Sequence, residues 1–295
     1  PSKVKRFLHE KLFILNSEYI IKERLGKPTY DVAKFFDLVE DDGAQVKLPR
    51  GFARQLTEFL GQEGIAYQLT PRHPEFGACG FRSNIVLTDG QRHVVDQAFA
   101  TGEGIIVAPP GSGKTIMGLE LITRHDKPAL ILTHRKQLLD QWVERIQQHL
   151  ELPKKQIGRY SASYKKPSDV ISVGLLQSFA RAGDLSEFTD KFGVIIIDEC
   201  HHIPAKTFRA VISQLNGVHI YGLTATPKRK HNDEKLIYLY IGNIVATLGS
   251  SEKAPEIGVL IRGTSLTLPF DWKTDRSELL AKVICYDTAR NEQLV

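Results

Sequence analysis

From about residue 103 onward, short runs that are apolar at every position alternate with longer stretches carrying a helical stripe. This alternation constrains the fold more than any other feature of the chain. Strands are expected over 105–108, 129–133, 170–174, 194–198 and 219–223. Helices are expected over 115–124, 136–149 and 205–215, with a shorter one near 177–188. A run apolar on consecutive residues buries both faces of its strand, as parallel sheets require. Strand and helix in alternation then imply an α/β fold, a parallel sheet with helices on both faces joined by right-handed crossovers.

Residues 108–115 read A-P-P-G-S-G-K-T between the apolar run 104–107 and the amphipathic run 116–122, so strand, loop and helix follow in order. This is the pattern of a nucleoside triphosphate site. Gly111 and Gly113 let backbone amides turn inward where a Cβ would block the approach of phosphates. Pro110 and Ser112 complete the loop, Lys114 offers a point charge to the β and γ phosphates, and Thr115 offers a hydroxyl to Mg²⁺. The strict pattern has Gly at the first position, where Ala108 stands; the remaining G-x-G-K-T still supplies the turn.

A second string specifies the chemistry. The β-branched run 194–197 ends in Asp198-Glu199-Cys200-His201-His202. Carboxylates at the C-terminal end of a buried parallel strand sit where open α/β sheets bind ligands. Asp198 is expected to hold Mg²⁺ and Glu199 to orient and deprotonate a water, converging with Lys114 from neighbouring strand ends. The Cys-His-His triplet is not a zinc site, because adjacent side chains at a helix start diverge.

Bulk numbers exclude several classes. With 42% apolar and 25% charged residues the chain is ordinary globular protein. Its net charge of +5 leans toward a polyanionic partner. Three scattered cysteines, Cys79, Cys200 and Cys285, point to a reducing, cytoplasmic compartment rather than a disulfide scaffold. No apolar run approaches the ~18 residues a membrane span needs. Residue 1 is Pro, so the chain reads as a trimmed piece.

Residues 1–80 have a different rhythm. Short strands are expected over 11–15, 18–21, 31–38, 44–48 and 65–69, with a helix whose stripe is Phe52, Leu56, Phe59 and Leu60. A Pro- and Gly-containing stretch from Thr70 to Gly80 reads as a linker. The expected organisation is a small α+β accessory domain over 1–80, a nucleotide-binding lobe over 81–255 and a connector over 256–295.

Further strings follow in a telling order. The run from Leu130 to Trp142, the run from Val173 to Ser178, and Gly222-Leu-Thr-Ala-Thr-Pro227 resemble motifs Ia, Ib and III of superfamily two helicases and translocases. The likeness is to the DEAH-like branch with XPB-like and RadD-like enzymes and type III restriction motor subunits, and it covers roughly residues 82–293. It implies a RecA-like P-loop lobe using ATP and Mg²⁺, with Thr133, His134, Arg135, Lys136, Gln177 and Ser178 toward a nucleic-acid backbone. It also implies Thr224 and Thr226 as coupling hydroxyls and His201 bonding toward one of them. Gln91 matches the position of the family's adenine-reading glutamine and equally suits a helix cap. Lys228, Arg229 and Lys230 follow the motif III turn and are candidates for phosphate contact. Trp142, among Leu138, Leu139 and Ile146, reads as core.

By the same resemblance, duplex or single-stranded DNA is the expected partner, with RNA possible. A second RecA-like lobe in the full-length chain is expected to supply arginines that this sequence lacks, so the chain alone should hydrolyse ATP barely above background. Residues 1–80 are similar to the accessory domain that contacts duplex DNA in XPB-like enzymes, with Arg50, Arg54 and Arg72 as candidate contacts; a buttress for the lobe is the other reading. A nucleotide-switched DNA-binding subunit without unwinding activity remains the alternative function.

Overall fold

A computed structural model describes residues 2–43, 45–70, 74–202, 205–226 and 234–249. Arg72, Lys228, Arg229, Lys230, Cys285 and the connector over 256–295 lie outside the described residues.

The N-terminal part opens with helix α1 (Ser2–Leu12), strand β1 (Phe13–Leu15), helix α2 (Ser17–Arg24) and strand β2 (Phe35–Asp37). Strands β3 (Glu40–Asp41) and β4 (Val46–Lys47), a 3₁₀ turn at Arg50–Phe52 and helix α3 (Ala53–Gln62) follow. β1 pairs antiparallel with β2, and β3 with β4. Two expectations fail here. Residues 18–21 are helical, because Asn16 accepts a hydrogen bond from the Glu18 amide at 3.0 Å and caps α2. Residues 65–69 form no strand. The helix at 2–12 went unread, although Leu8 and Leu12 point one face of it into the core.

The larger part runs α4 (Asp89–Thr101), β5 (Glu103–Val107), α5 (Lys114–His125), β6 (Ala129–Thr133) and α6 (Lys136–His149), then β7 (Ile157–Ser161), β8 (Tyr164–Lys166) and β9 (Ile171–Leu175). It continues with α7 (Leu176–Ala182), α8 (Ser186–Thr189), β10 (Val194–Asp198), α9 (Ala205–Ile212), β11 (His219–Thr224), α10 (Glu234–Ile241) and β12 (Ile244–Thr247). The eight strands form one sheet in the order β12-β5-β11-β10-β6-β9-β7-β8. All neighbours are parallel except β8, which runs antiparallel to β7.

Alternation along the strands builds two cores. Leu130, Leu132, Ile195 and Ile197 face one cluster, while Ala129, Ile131, Val194 and Ile196 face the other. Each fully buried Ile or Leu adds about 2 kcal/mol, and these eight residues are all at most 1% exposed. Leu8, Leu12, Leu38 and Phe52 join the first cluster, so the N-terminal elements cover that face of the sheet. Arg50 and Gly51 secure the junction. Arg50 Nη2 donates to Glu103 Oε2 at 2.7 Å and to Val218 O at 3.2 Å, and a Cβ on Gly51 would collide with the backbone of α10 at Tyr238 and Leu239. The Arg50 guanidinium is thus engaged within the protein, which corrects its expected role as a phosphate contact; Arg54 is exposed and pairs with Glu58.

Candidate nucleotide site

Strand β5 hands the chain to the loop 108–113, which is anchored where Ala108 N donates to Thr224 O at 2.9 Å. Gly111 and Gly113 adopt φ of 74° and 85°, left-handed values that a side chain would strain. Ser112 Oγ donates to Pro109 O at 2.6 Å and tightens the turn. Gly113 is the N-cap of α5 and brings no side chain to the first-turn amides, so they and the helix dipole are available to an anion. Lys114 and Thr115 occupy that first turn. Lys114 Nζ donates to Ala108 O at 3.3 Å and lies 3.2 Å from Glu199 Oε1.

The acidic pair sits at the end of β10. Asp198 is 5% exposed, and Trp142 Nε1 donates to its Oδ2 at 2.8 Å. Burial pushes the Asp198 carboxyl above its usual range, and the Trp142 hydrogen bond pulls the other way. Glu199 has a φ of 48°, a left-handed conformation costly for a non-glycine residue and typical of sites where geometry matters more than backbone comfort. Its Oε2 is buried without a hydrogen bond and stands 3.4 Å from His201 Nδ1. Thr224 Oγ1 lies 2.6 Å from the same nitrogen, donates to Thr226 O at 2.9 Å and accepts from Thr226 N at 3.2 Å. His201 Nδ1, Thr226 O and Thr226 N thus meet at the one hydroxyl of Thr224. Strand β11 lies between β5 and β10. Lys114 and Glu199 therefore converge across an intervening strand, not from neighbouring strand ends as the spacing had suggested.

Comparison with known proteins bears on the whole arrangement. Residues 84–229 match the family model described as "Type III restriction enzyme, res subunit". Over 163 residues the chain is 31% identical to the DNA 3'-5' helicase XPB of Mycobacterium tuberculosis, a match covering 53% of this chain and 29% of that protein. Over 164 residues it is 30% identical to the DNA 3'-5' translocase XPB2 of Sulfurisphaera tokodaii, covering 56% and 36%. The crystal structure of the UvsW helicase from bacteriophage T4 aligns with a TM-score of 0.63 at 18% identity, over 83% of this chain and 93% of that one, which establishes the RecA-like fold. Over the stretch that holds Lys114 and Glu199, the chain is thus similar to DNA helicases and translocases. Its matched stretch spans about a third of the length of these two curated relatives.

Other expected positions are brought to the same edge of the sheet with different exposure. Gln91 forms a reciprocal capping box with Thr88, its Oε1 accepting from Thr88 N at 3.0 Å, and its Nε2 donates to Ser112 O at 2.9 Å. It therefore caps α4 and braces the phosphate loop together. Arg135 and Lys136 are exposed at the start of α6. Gln177 Nε2 donates to His134 O at 3.0 Å and ties the tips of β6 and β9. Thr133 is 0% and Ser178 7% exposed. Both side chains are enclosed, so any contact of these two positions with a polymer would run through their backbone. Trp142 is core as expected, at 1% exposed, but it also reaches Asp198. A buried indole N–H requires an acceptor, and that rule was the available signal.

Proposed function

We propose that this motor lobe binds ATP with Mg²⁺ and, within the full-length protein, hydrolyses it to drive movement along DNA or opening of it. The observation that carries the reading is the 3.2 Å approach of Lys114 Nζ to Glu199 Oε1 beside the N-terminus of α5. A polyphosphate held by Lys114 and the first-turn amides would bring its terminal phosphoryl group next to Glu199. Glu199 accepts the proton of the attacking water through the carboxylate oxygen that faces Lys114. His201, bonded through Nδ1, holds Thr224 and stands beside Glu199, so a shift at Thr224 or Thr226 is felt at the base.

The Thr115 hydroxyl and the Asp198 carboxylate fit magnesium, a hard cation bound by few carboxylates alongside phosphate oxygens and waters. When bound, the ion neutralises charge developing on the phosphates. Among the described residues no cluster of three or more His, Cys, Asp or Glu is suited to a metal.

DNA is the polymer we favour over RNA, from the names of the curated relatives above. Exposed Arg135 and Lys136, with the His134 backbone held by Gln177, are the proposed contacts in the described part; Lys228 and Arg229 extend the list beyond it. Residues 1–80 act as an accessory domain, 256–295 lead to a second lobe, and the protein works in the cytoplasm. Among the described residues no helix is long and apolar enough to cross a membrane.

The deciding experiment measures ATPase activity of the full-length protein with single-stranded DNA, duplex DNA and RNA in turn, beside Lys114→Ala and Glu199→Gln. Stimulation by DNA that both substitutions remove is the expected result. Tight nucleotide binding that alters DNA affinity without turnover would instead establish a switched DNA-binding subunit.

A further inference from the structure

Trp142 touches more of the site than a packing residue needs to. It lies on α6, seven residues beyond Arg135, and its Nε1 donates to the enclosed carboxylate of Asp198 on β10 at 2.8 Å. Its ring passes so close to α5, the helix begun by Lys114 and Thr115, that a Cβ at position 118 would lie 2.8 Å from Trp142 Cη2 and 3.2 Å from Leu223 Cδ1. Gly118 is therefore the gap through which the indole reaches the acid. One side chain thus meets the phosphate-loop helix, the acidic strand and the helix whose start carries the exposed basic pair.

We propose that Trp142 is a positioning residue for magnesium: its N–H fixes Asp198 Oδ2 so that the other carboxylate oxygen faces the bound ion and nucleotide. The inference rests on the reading of Lys114, Thr115 and Asp198 as a nucleotide and magnesium site. An aromatic ring alone would fill the same space. The N–H adds direction: at 5% exposure the carboxylate has the Trp142 N–H as its side-chain hydrogen bond, beside the backbone amide of Glu199.

Trp142→Phe keeps the ring and removes the donor. Calorimetry on the full-length protein should show ADP binding with magnesium weakened about tenfold, while ADP binding with a chelator present stays at the wild-type value. An equal loss in both conditions would reduce Trp142 to a packing residue, and no loss in either would dismiss the idea outright. Lys114→Ala separates this from the underlying reading: if it leaves ADP binding intact, the nucleotide site itself is wrong, whatever Trp142 does.

A measurement that does not depend on the folding of Trp142→Phe uses the two tryptophans of the chain, Trp142 and Trp272. With 5-fluorotryptophan incorporated and Trp272→Phe used for assignment, the Trp142 fluorine signal should move when ADP and magnesium are added together. It should stay in place with ADP and chelator, or in Asp198→Asn. A Trp142 signal indifferent to magnesium overturns the proposal.

Discussion

At the edge where the strands end, Glu199 holds a φ of 48° and keeps one carboxylate oxygen buried without a hydrogen bond. At the edge where they begin, polar groups are matched to partners. Arg50 serves Glu103 Oε2 and the carbonyls of Gly217 and Val218. His125 Nε2 bonds Tyr221 OH at 2.7 Å and stacks on His219 with ring centroids 3.6 Å apart, while His219 Nδ1 donates to Gly102 O at 3.1 Å. The two rims thus differ at particular residues: Glu199 keeps a left-handed backbone and one oxygen without a hydrogen bond, while Arg50, His125 and His219 each have partners. The first rim carries reactive potential at a cost in stability, and the second recovers stability with groups that do no chemistry.

Substitutions should divide along the same line. Lys114→Ala and Glu199→Gln should lower DNA-stimulated turnover by at least about a hundredfold, since each removes a charge that acts on the developing transition state. The thermal midpoint of Glu199→Gln should stay level or rise, and a large fall there would erase the contrast, whereas Lys114→Ala strips Glu199 of its partner and should lower it. Arg50→Ala should do the reverse, costing about 1.5 kcal/mol in urea unfolding after allowance for the part-exposed Glu103, with turnover per folded molecule retained.

Acidity tests the second rim again. Burial, then the neighbouring His219 and Lys127, push His125 down to about 3. The folded protein needs it neutral, whereas an unfolded chain takes up the proton near 6.5. The stability it secures is complete above that value and is lost as pH falls toward about 3. Between pH 7 and 5 the loss should be about 1 kcal/mol for this half-buried ring, and His125→Phe should flatten the slope in denaturant titrations. The smallest effect belongs to Gln91→Ala, which removes the capping box and the brace on Ser112. Helix α4 should lose about 0.7 kcal/mol and ADP affinity should fall about threefold by calorimetry.

The lobe was readable because its strands are apolar at consecutive positions: 129–133 and 194–198 have the expected bounds. Strands β7 and β12 were passed over. Gly158 and Arg159 interrupt β7, and β12 is only four residues long. In the N-terminal part, elements of two or three residues are fixed by caps and by packing on the sheet, so local propensity misled at 18–21. The site's loop and acidic pair were visible as strings. Their meeting across β11 depends on strand order, which no local pattern encodes, and the enclosure of Thr133 and Ser178 depends on how α6 and α7 lie over the sheet. Trp142 was legible as apolar bulk and illegible as a donor, since its acceptor stands 56 positions away.

Strand β8 has a consequence for life at high concentration. A parallel sheet is an open ladder whose last rung invites another chain. Here that rung is three exposed residues long, reversed in direction and fitted with Lys165 and Lys166. A second molecule adding itself there would find few amides to grip and would have to strip water from two ammonium groups, so stacking of one copy on the next is discouraged at its point of entry.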